Sequence, residues 1–145
     1  MNFLVGRDGG VKLIDYGFAT FTSDKKTRKP TLSRTRCGSA GYMAPEVLEE
    51  KGEYDAKAAD MFSAGVILYE MLTGRVPFGI PYDKSTEKKY LQLVKGRRWR
   101  LPSDVNLSQE GKDLLNKLLD PYPKARPTAT QVLKDPWCKD SKEEY

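Results

Sequence analysis

The most constraining feature of this sequence is the stretch of residues 56–72, which is apolar on nearly every side of a predicted helix. From residue 60 onward its strongly polar side chains are Asp60, Ser63 and Glu70, and Gly74 follows as a helix-ending residue. A helix that is hydrophobic all round needs other elements around it, so we expect it at the centre of the fold. Asp60 would then be buried and would need hydrogen-bond partners.

Shorter elements are predicted on both sides of this helix. Residues 3–15 are expected to form a β-hairpin, because two β-prone runs flank the Asp8-Gly9 pair, which favours a tight turn. Residues 16–36 lack periodicity and are predicted to be a long exposed loop. Capping residues, prolines and apolar spacing predict four further helices, at residues 45–50, 85–95, 108–120 and 128–135. The fold class is therefore mainly α, with an N-terminal hairpin.

The amino-acid composition excludes several classes of catalytic and metal-binding site. The chain has 145 residues, a net charge of +5 and no histidine, which excludes Ser/His/Asp and Cys/His catalysis. The two cysteines, Cys37 and Cys138, are too few for a structural zinc site or a disulfide framework. The sequence offers no candidate membrane span or signal peptide, so we expect a cytoplasmic or nuclear protein with no membrane partner.

One pair of polar residues is suited to binding a cation. Asp15 begins the triplet Asp15-Tyr16-Gly17 at the end of the second predicted strand, and Asn2 stands at the start of the first. Antiparallel pairing would bring the two together, and a carboxylate with an amide oxygen suits Mg²⁺. Taken alone, such a triplet is more often a turn than a metal site.

A second segment makes the pattern specific. Ala44-Pro45-Glu46 follows Asp15 after 29 residues and is preceded by Gly38-Ser39-Ala40-Gly41-Tyr42. In this order the segments resemble the Asp-Phe-Gly and Ala-Pro-Glu motifs of eukaryotic serine/threonine protein kinases. The sequence resembles the C-terminal lobe of these kinases and has no segment that resembles the N-terminal lobe. Among the kinase groups, it resembles the calcium/calmodulin-dependent kinases most. It implies a partial kinase domain at residues 1–138 and a short charged tail at residues 139–145.

The resemblance implies roles for individual residues in the complete protein. Asn2 and Asp15 would hold Mg²⁺ and, together with Leu4 beneath the adenine, would bind ATP. Ser39 would support the substrate hydroxyl, and Thr35 would carry an activating phosphate. Plain core packing for Leu4 and an unmodified loop residue for Thr35 are the alternatives.

The resemblance also implies structural roles. Glu46, which closes the activation segment, would form a buried ion pair with Arg126. Asp60 would bind the backbone of the catalytic loop, which would supply the partners that its burial demands. These residues would give the segment before Glu46 a fixed place on the helices.

The resemblance also shows what these 145 residues do not contain. They include no Gly-rich loop, strand lysine or catalytic aspartate, so we expect a kinase by family that is inactive as this chain alone. The alternative is a non-catalytic protein-binding module or pseudokinase remnant. A protein substrate or partner would bind at the activation segment and the helix of residues 85–95. The basic stretches 25–36 and 95–100, the latter with Trp99 as a stacking surface, are interpreted as solvated loops rather than a nucleic-acid site.

Overall fold

A computed structural model describes residues 2–49 and 52–139. It is mainly helical, with one two-stranded antiparallel sheet. In chain order the elements are β1 (Phe3–Val5), β2 (Val11–Leu13), α1 (Pro45–Leu48), α2 (Ala56–Thr73), α3 (Lys84–Lys95), α4 (Gln109–Leu118), a 3₁₀ turn (Pro123–Ala125), α5 (Ala129–Val132) and α6 (Pro136–Lys139).

The predicted hairpin is confirmed. β1 and β2 pair antiparallel, with Phe3 opposite Leu13. Asp8 Oδ1 accepts the Gly10 N–H at 3.1 Å, and Gly9 supplies the left-handed backbone that the turn requires. Beyond the sheet, the Ile14 N–H donates to the Asn2 carbonyl at 2.8 Å, so the backbone of Asn2 lies beside the strand end that leads to Asp15.

Helix α2 has nearly the predicted length. It begins after Asp55, whose side chain accepts two free N–H groups of the first turn, and it ends at Gly74 in the left-handed conformation. The expectation that it is buried on all sides is wrong. Its buried residues form one face, whereas Asp60 is exposed and Met71 is 78% exposed. The described residues provide no element that covers this second face.

The core lies where α2 packs against α4 and the segments around them. Gly65 permits the closest approach, since a Cβ atom at this position would lie 2.7 Å from Leu118 Cβ. The most deeply buried side chains are Phe62, Val66, Tyr90, Val94, Leu114, Leu115 and Leu119. All of them come from α2, α3, α4 and the residue after α4, so the helices form one continuous hydrophobic core.

The remaining helices follow the predicted caps with small shifts. α3 begins at Lys84, because Asp83 and Thr86 form a capping box, and α4 begins after Ser108 as expected. The helix predicted over residues 128–135 is shorter, because α5 ends at Val132. A separate helix that was not predicted, α6, begins at Pro136, where Asp135 accepts the Trp137 N–H. The expected end of α1 at Glu50 and most of the predicted tail, residues 140–145, lie outside the described residues. In the described parts, no helix combines the length and apolarity needed to cross a bilayer.

Candidate functional site

A cleft of about 590 Å³ lies between the end of the hairpin, the long segment after it and the first half of α2. Five of the residues singled out in the sequence line this cleft, namely Asn2, Asp15, Thr35, Ser39 and Asp60. They come from distant parts of the chain, and the tertiary fold brings them to one place. We take this cleft as the candidate site.

Asp15 occupies the cleft in a constrained conformation. Its φ of 64° lies in the left-handed region, which a non-glycine residue adopts at a cost of about 1 kcal/mol or more. Asp15 Oδ1 accepts the Gly17 N–H at 3.0 Å, and the Tyr16 hydroxyl donates to the Leu13 carbonyl at 3.0 Å. These local bonds fix the turn and leave Asp15 Oδ2 with no hydrogen bond to any described residue.

Leu4 does not join this group. It lies in the middle of β1, opposite Lys12, with 57% of its surface exposed, and it does not line the cleft. Plain core packing among the described residues is therefore wrong for Leu4, and its place beneath an adenine stays a prediction.

Asp60 differs from the prediction. The apolar helix predicts an interior position with hydrogen-bond partners for Asp60, whereas the structure leaves the residue exposed and without a hydrogen bond to any described residue. The reason is the uncovered face of α2. Partial desolvation by the cleft walls raises the pKa of the Asp60 carboxyl, and the nearby Asp55 carboxylate raises it further.

The segment containing Thr35 is held against the helices by its neighbours. Ser33 and Tyr54 exchange two backbone hydrogen bonds of 2.8 Å, and the Tyr54 hydroxyl donates to the Thr35 carbonyl at 2.6 Å. The Thr35 side chain itself is exposed. The flanking arginines already have acidic partners, as Arg34 contacts Glu53 at 3.0 Å and Arg36 contacts Glu87 of α3 at 2.6 Å.

The end of the segment is anchored by an ion pair between Glu46 and Arg126. Arg126 Nη1 and Nη2 donate to the two Glu46 carboxylate oxygens at 2.6 and 2.9 Å. The guanidinium also donates to three backbone carbonyls, of Ala58, Asp120 and Pro121, so all five of its N–H groups are used. Its side chain is fully buried over the Phe62 ring. The sequence indicated the pair, but not the three carbonyl acceptors.

Two polar residues of α2 hold the loop that carries Ser39, and sequence reasoning missed them. The Tyr42 hydroxyl donates to both carboxylate oxygens of Glu70, at 2.9 and 2.8 Å, which raises the pKa of Tyr42. The Ser63 hydroxyl donates to the Tyr42 carbonyl at 2.9 Å. A signal was present, because Ser63 and Glu70 lie seven positions apart in an otherwise apolar helix and therefore share one face.

The electrostatic character of the cleft is acidic. Asp15 and Asp60 line it, and the described lining contains no lysine or arginine. Its lining residues include the aromatic side chains of Tyr16, Phe18, Tyr42 and Tyr54. Within the described residues no group of three histidine, cysteine or carboxylate side chains could hold a metal ion. A cation here would therefore be bound by one or two side chains, with other ligands completing its coordination.

The cationic side chains of the two basic stretches lie outside the cleft. Trp99 is not a free stacking surface, because its ring is half-buried and contacts Tyr69 edge-on with centroids 6.0 Å apart. Lys25 stacks over the Phe21 ring at 4.4 Å within the long segment. Neither stretch contributes a cationic side chain to the cleft.

Comparison with known proteins gives a consistent result. The family described as "Protein kinase domain" matches residues 1–138. The chain is 38% identical over 141 residues to testis-specific serine/threonine-protein kinase 2 of Mus musculus. This alignment covers 97% of this chain and 38% of the mouse protein. It is 40% identical over 136 residues to CBL-interacting protein kinase 21 of Oryza sativa subsp. japonica, covering 94% of this chain and 24% of that protein.

The chain thus spans only about a quarter to two-fifths of the length of these curated relatives. The family match nevertheless extends over nearly the whole chain, and it includes the hairpin, the cleft and the helical core described above. On this basis the chain belongs to the protein kinase domain family and is a serine/threonine kinase family member.

Proposed function

We propose that this chain is the C-terminal-lobe part of a serine/threonine protein kinase, which in its complete form transfers the γ-phosphoryl group of ATP to protein hydroxyl groups. The observation that carries the proposal is the cleft shared by Asn2, Asp15 and Ser39, with the segment behind it anchored by Glu46 and Arg126. The finer group, the calcium/calmodulin-dependent kinases, stays a prediction from sequence, as does a cytoplasmic or nuclear location.

The donor chemistry of the cleft fits Mg²⁺. Asn2 offers an amide oxygen and Asp15 a carboxylate oxygen, and both residues line the same cavity. Mg²⁺ usually takes one or two carboxylate or amide ligands and completes its octahedron with water and phosphate oxygens. When bound with ATP, the ion would neutralise phosphate charge; the role of this chain is to hold the two oxygen donors at the hairpin end.

The same cleft supports the proposal that the isolated chain does not catalyse transfer. A triphosphate would meet the carboxylates of Asp15 and Asp60, with no lysine or arginine from the described lining to offset them. The 145 residues also contain no Gly-rich loop to cover the phosphates. Binding of ATP without residues from elsewhere would therefore be weak.

A radiolabelled-ATP transfer assay on the purified chain tests this proposal of inactivity. We expect no transfer to a mixed protein substrate. Turnover that disappears in Asp15→Ala would overturn it.

The cation site is tested separately with Mn²⁺ as a paramagnetic probe. We expect Mn²⁺ to broaden the amide signals around Asn2 and Asp15 in NMR spectra of the labelled chain, and Asp15→Ala to abolish that broadening. The matched control is Asp8→Ala, because Asp8 and Asp15 each accept an N–H from the residue two positions later. Equal loss of broadening in both variants would count against a site at Asp15.

Thr35 remains the proposed phosphorylation site. Its exposed side chain and the adjacent Arg34 and Arg36 support this role. A phosphate adds about 1.5–2 negative charges and would compete with Glu53 and Glu87 for the arginines. Mass spectrometry of the protein from its native source is expected to find the phosphate on Thr35, and its consistent absence there would contradict the proposal.

A non-catalytic protein-binding role is the second candidate. The Arg36–Glu87 contact joins the activation segment to α3, so the two proposed docking elements form one surface. We expect a protein substrate or partner to bind there. Pull-down from cell extract, with Arg36→Glu as the disrupting variant, should recover a stoichiometric partner that the variant does not recover; no partner, or equal recovery with both chains, counts against this role.

A further inference from the structure

A second cavity, of about 460 Å³, lies at the other end of the chain. It is formed by the end of α4, the 3₁₀ turn and the residues around α5, and none of its lining residues belongs to the cleft. Four cationic side chains line it, those of Lys117, Lys124, Arg126 and Lys134, together with the single carboxylate of Asp135. The protein kinase function proposed above gives this cavity no role.

Two of the four cations are neutralised within the protein. All N–H groups of Arg126 are used, and its charge is balanced by Glu46. Lys117 Nζ lies 3.1 Å from Asp135 Oδ2. Lys124 and Lys134 are exposed and form no ion pair with any described residue. The cavity therefore has an excess of about two positive charges, carried by two flexible ammonium groups.

Gln131 adds a neutral donor with a defined orientation. Its side-chain oxygen accepts hydrogen bonds from the N–H and the hydroxyl of Thr128 in the capping box of α5, at 2.8 and 3.1 Å. Because the oxygen is occupied, the NH₂ end of the Gln131 side chain is the group left to donate in the cavity that this residue lines. No other described residue accepts a hydrogen bond from it.

We propose that this cavity binds a phosphate group carrying close to two negative charges. A phosphomonoester has about 1.5–2 negative charges near pH 7, which matches the unneutralised lysines, and it accepts several hydrogen bonds. The proposal does not depend on kinase activity or on what precedes residue 1, because every lining residue lies between residues 117 and 136.

The direct test is an NMR titration of the ¹⁵N-labelled chain with inorganic phosphate at pH 7 and constant ionic strength. We expect saturable shifts of the amides of Lys124, Ala125, Gln131 and Lys134. The double variant K124A/K134A should weaken binding roughly tenfold, since charge-assisted contacts are lost. The control K88A/K89A removes the same charge from exposed lysines of α3 and should change binding less than about twofold.

Two nearly isosteric variants test the role of charge, because one is expected to tighten phosphate binding and the other to weaken it. Asp135→Asn removes the carboxylate but keeps a side chain able to accept the Trp137 N–H, and it should tighten phosphate binding roughly threefold. Gln131→Glu keeps a capping-box acceptor but replaces the NH₂ donor by a negative oxygen, and it should weaken binding roughly threefold. These two variants decide the question even if K124A/K134A fails to fold.

Parallel titration with O-phosphoserine distinguishes the sources of the phosphate. Tighter binding than inorganic phosphate indicates a phosphorylated side chain as ligand, and equal binding indicates recognition of the dianion alone. Shifts that do not saturate, equal weakening by K88A/K89A, or weaker binding by Asp135→Asn would each overturn the proposal.

Discussion

The residues before Gly41 and those after it differ in how far their apolar side chains are buried. After Gly41, the helices share a core in which Phe62, Val66 and Leu115 are fully buried. Before it, no described residue is buried, although the hairpin and the following loop are rich in large apolar side chains. The exposed ones include Leu4, Val5, Val11, Leu13, Tyr16, Phe18 and Phe21.

This contrast shows that two regions of one chain are held by different forces. The hairpin is defined by backbone hydrogen bonds, Asx-type turns and a glycine, whereas the helical region is defined by burial. Exposed apolar surface of this extent promotes association, so the chain is expected to bind hydrophobic dyes and to self-associate through its first part. Substitutions matched between the two regions measure the difference.

The largest effect is expected at the ion pair that anchors the helical region. Arg126→Met leaves the Glu46 carboxylate and three backbone carbonyls without their partner, and we expect a loss of about 3–5 kcal/mol in the free energy of unfolding. Urea denaturation followed by circular dichroism measures it.

The control for this change is Arg34→Met in the exposed segment. The Arg34 and Glu53 side chains are 78% and 46% exposed, so their ion pair should contribute less than about 1 kcal/mol. Similar losses in the two variants would contradict the contrast between the regions.

A leucine truncation gives the next largest difference. Leu115→Ala creates a cavity at a fully buried position and is expected to cost about 2–5 kcal/mol. Leu4→Ala, at an exposed position of β1, should stay within about 0.5 kcal/mol. Chemical denaturation of both variants measures the two values, and a large loss for Leu4→Ala would mean that the hairpin is covered in solution.

A smaller effect is expected where α2 and α4 are closest. In Gly65→Ala the new methyl group would lie 2.7 Å from Leu118 Cβ, so overpacking at about 1–3 kcal/mol outweighs a helix-propensity gain of up to about 1 kcal/mol. Ala64→Gly, at the exposed neighbouring position, measures that propensity alone. Thermal unfolding compares the two, and a stabilised Gly65→Ala would show that the helices can separate without cost.

The smallest effect concerns the boundary between the regions. Folding raises the pKa of Asp60, mainly by desolvation and secondarily through Asp55, so the folded state binds this proton more tightly than the unfolded state. Ionisation of Asp60 above its folded pKa therefore opposes folding. Below the unfolded value of about 3.9 the group is protonated in both states, and this penalty is absent.

Asp60→Asn should accordingly raise the melting temperature at pH 7 and leave it unchanged near pH 3. The exposed Asp104→Asn is the control and should have no comparable effect. Destabilisation by Asp60→Asn at pH 7 would indicate instead that the carboxylate has a partner in solution.

The local elements were largely predictable because their signals are local. Asp8-Gly9 specifies the hairpin turn, Ser108 caps α4, and Thr128 with Gln131 caps α5 through bonds that span three residues. The helix α6 was not predicted, because its start depends on whether the Asp135 side chain bonds the backbone of the following turn. Such competition between side-chain and helical hydrogen bonds is not visible in a pattern of apolar residues.

The motifs predicted several residues that the structure brings to the cleft or to the ion pair, but not the contacts around them. The motifs indicated Asn2, Asp15, Ser39, Glu46 and Arg126, yet the number of acceptors around Arg126 and the Tyr42–Glu70 contact emerged only from packing. The error at Asp60 has the same origin. An apolar helix predicts that its faces can be covered, but only neighbouring elements decide which faces are.

The sequence alone indicated the kinase family and most of the order of the elements, because motifs and helix caps depend on residue type and short spacing. Through the family resemblance it also indicated Glu46 and Arg126, which form the buried ion pair, and the residues proposed to bind a cation. The tertiary structure decided which apolar surfaces are covered, and it brought the lysines around α5 into one cavity. The burial of a surface and the net charge of a cavity both depend on side chains that are far apart in the sequence. The pattern of residues along the chain does not show which of these side chains meet.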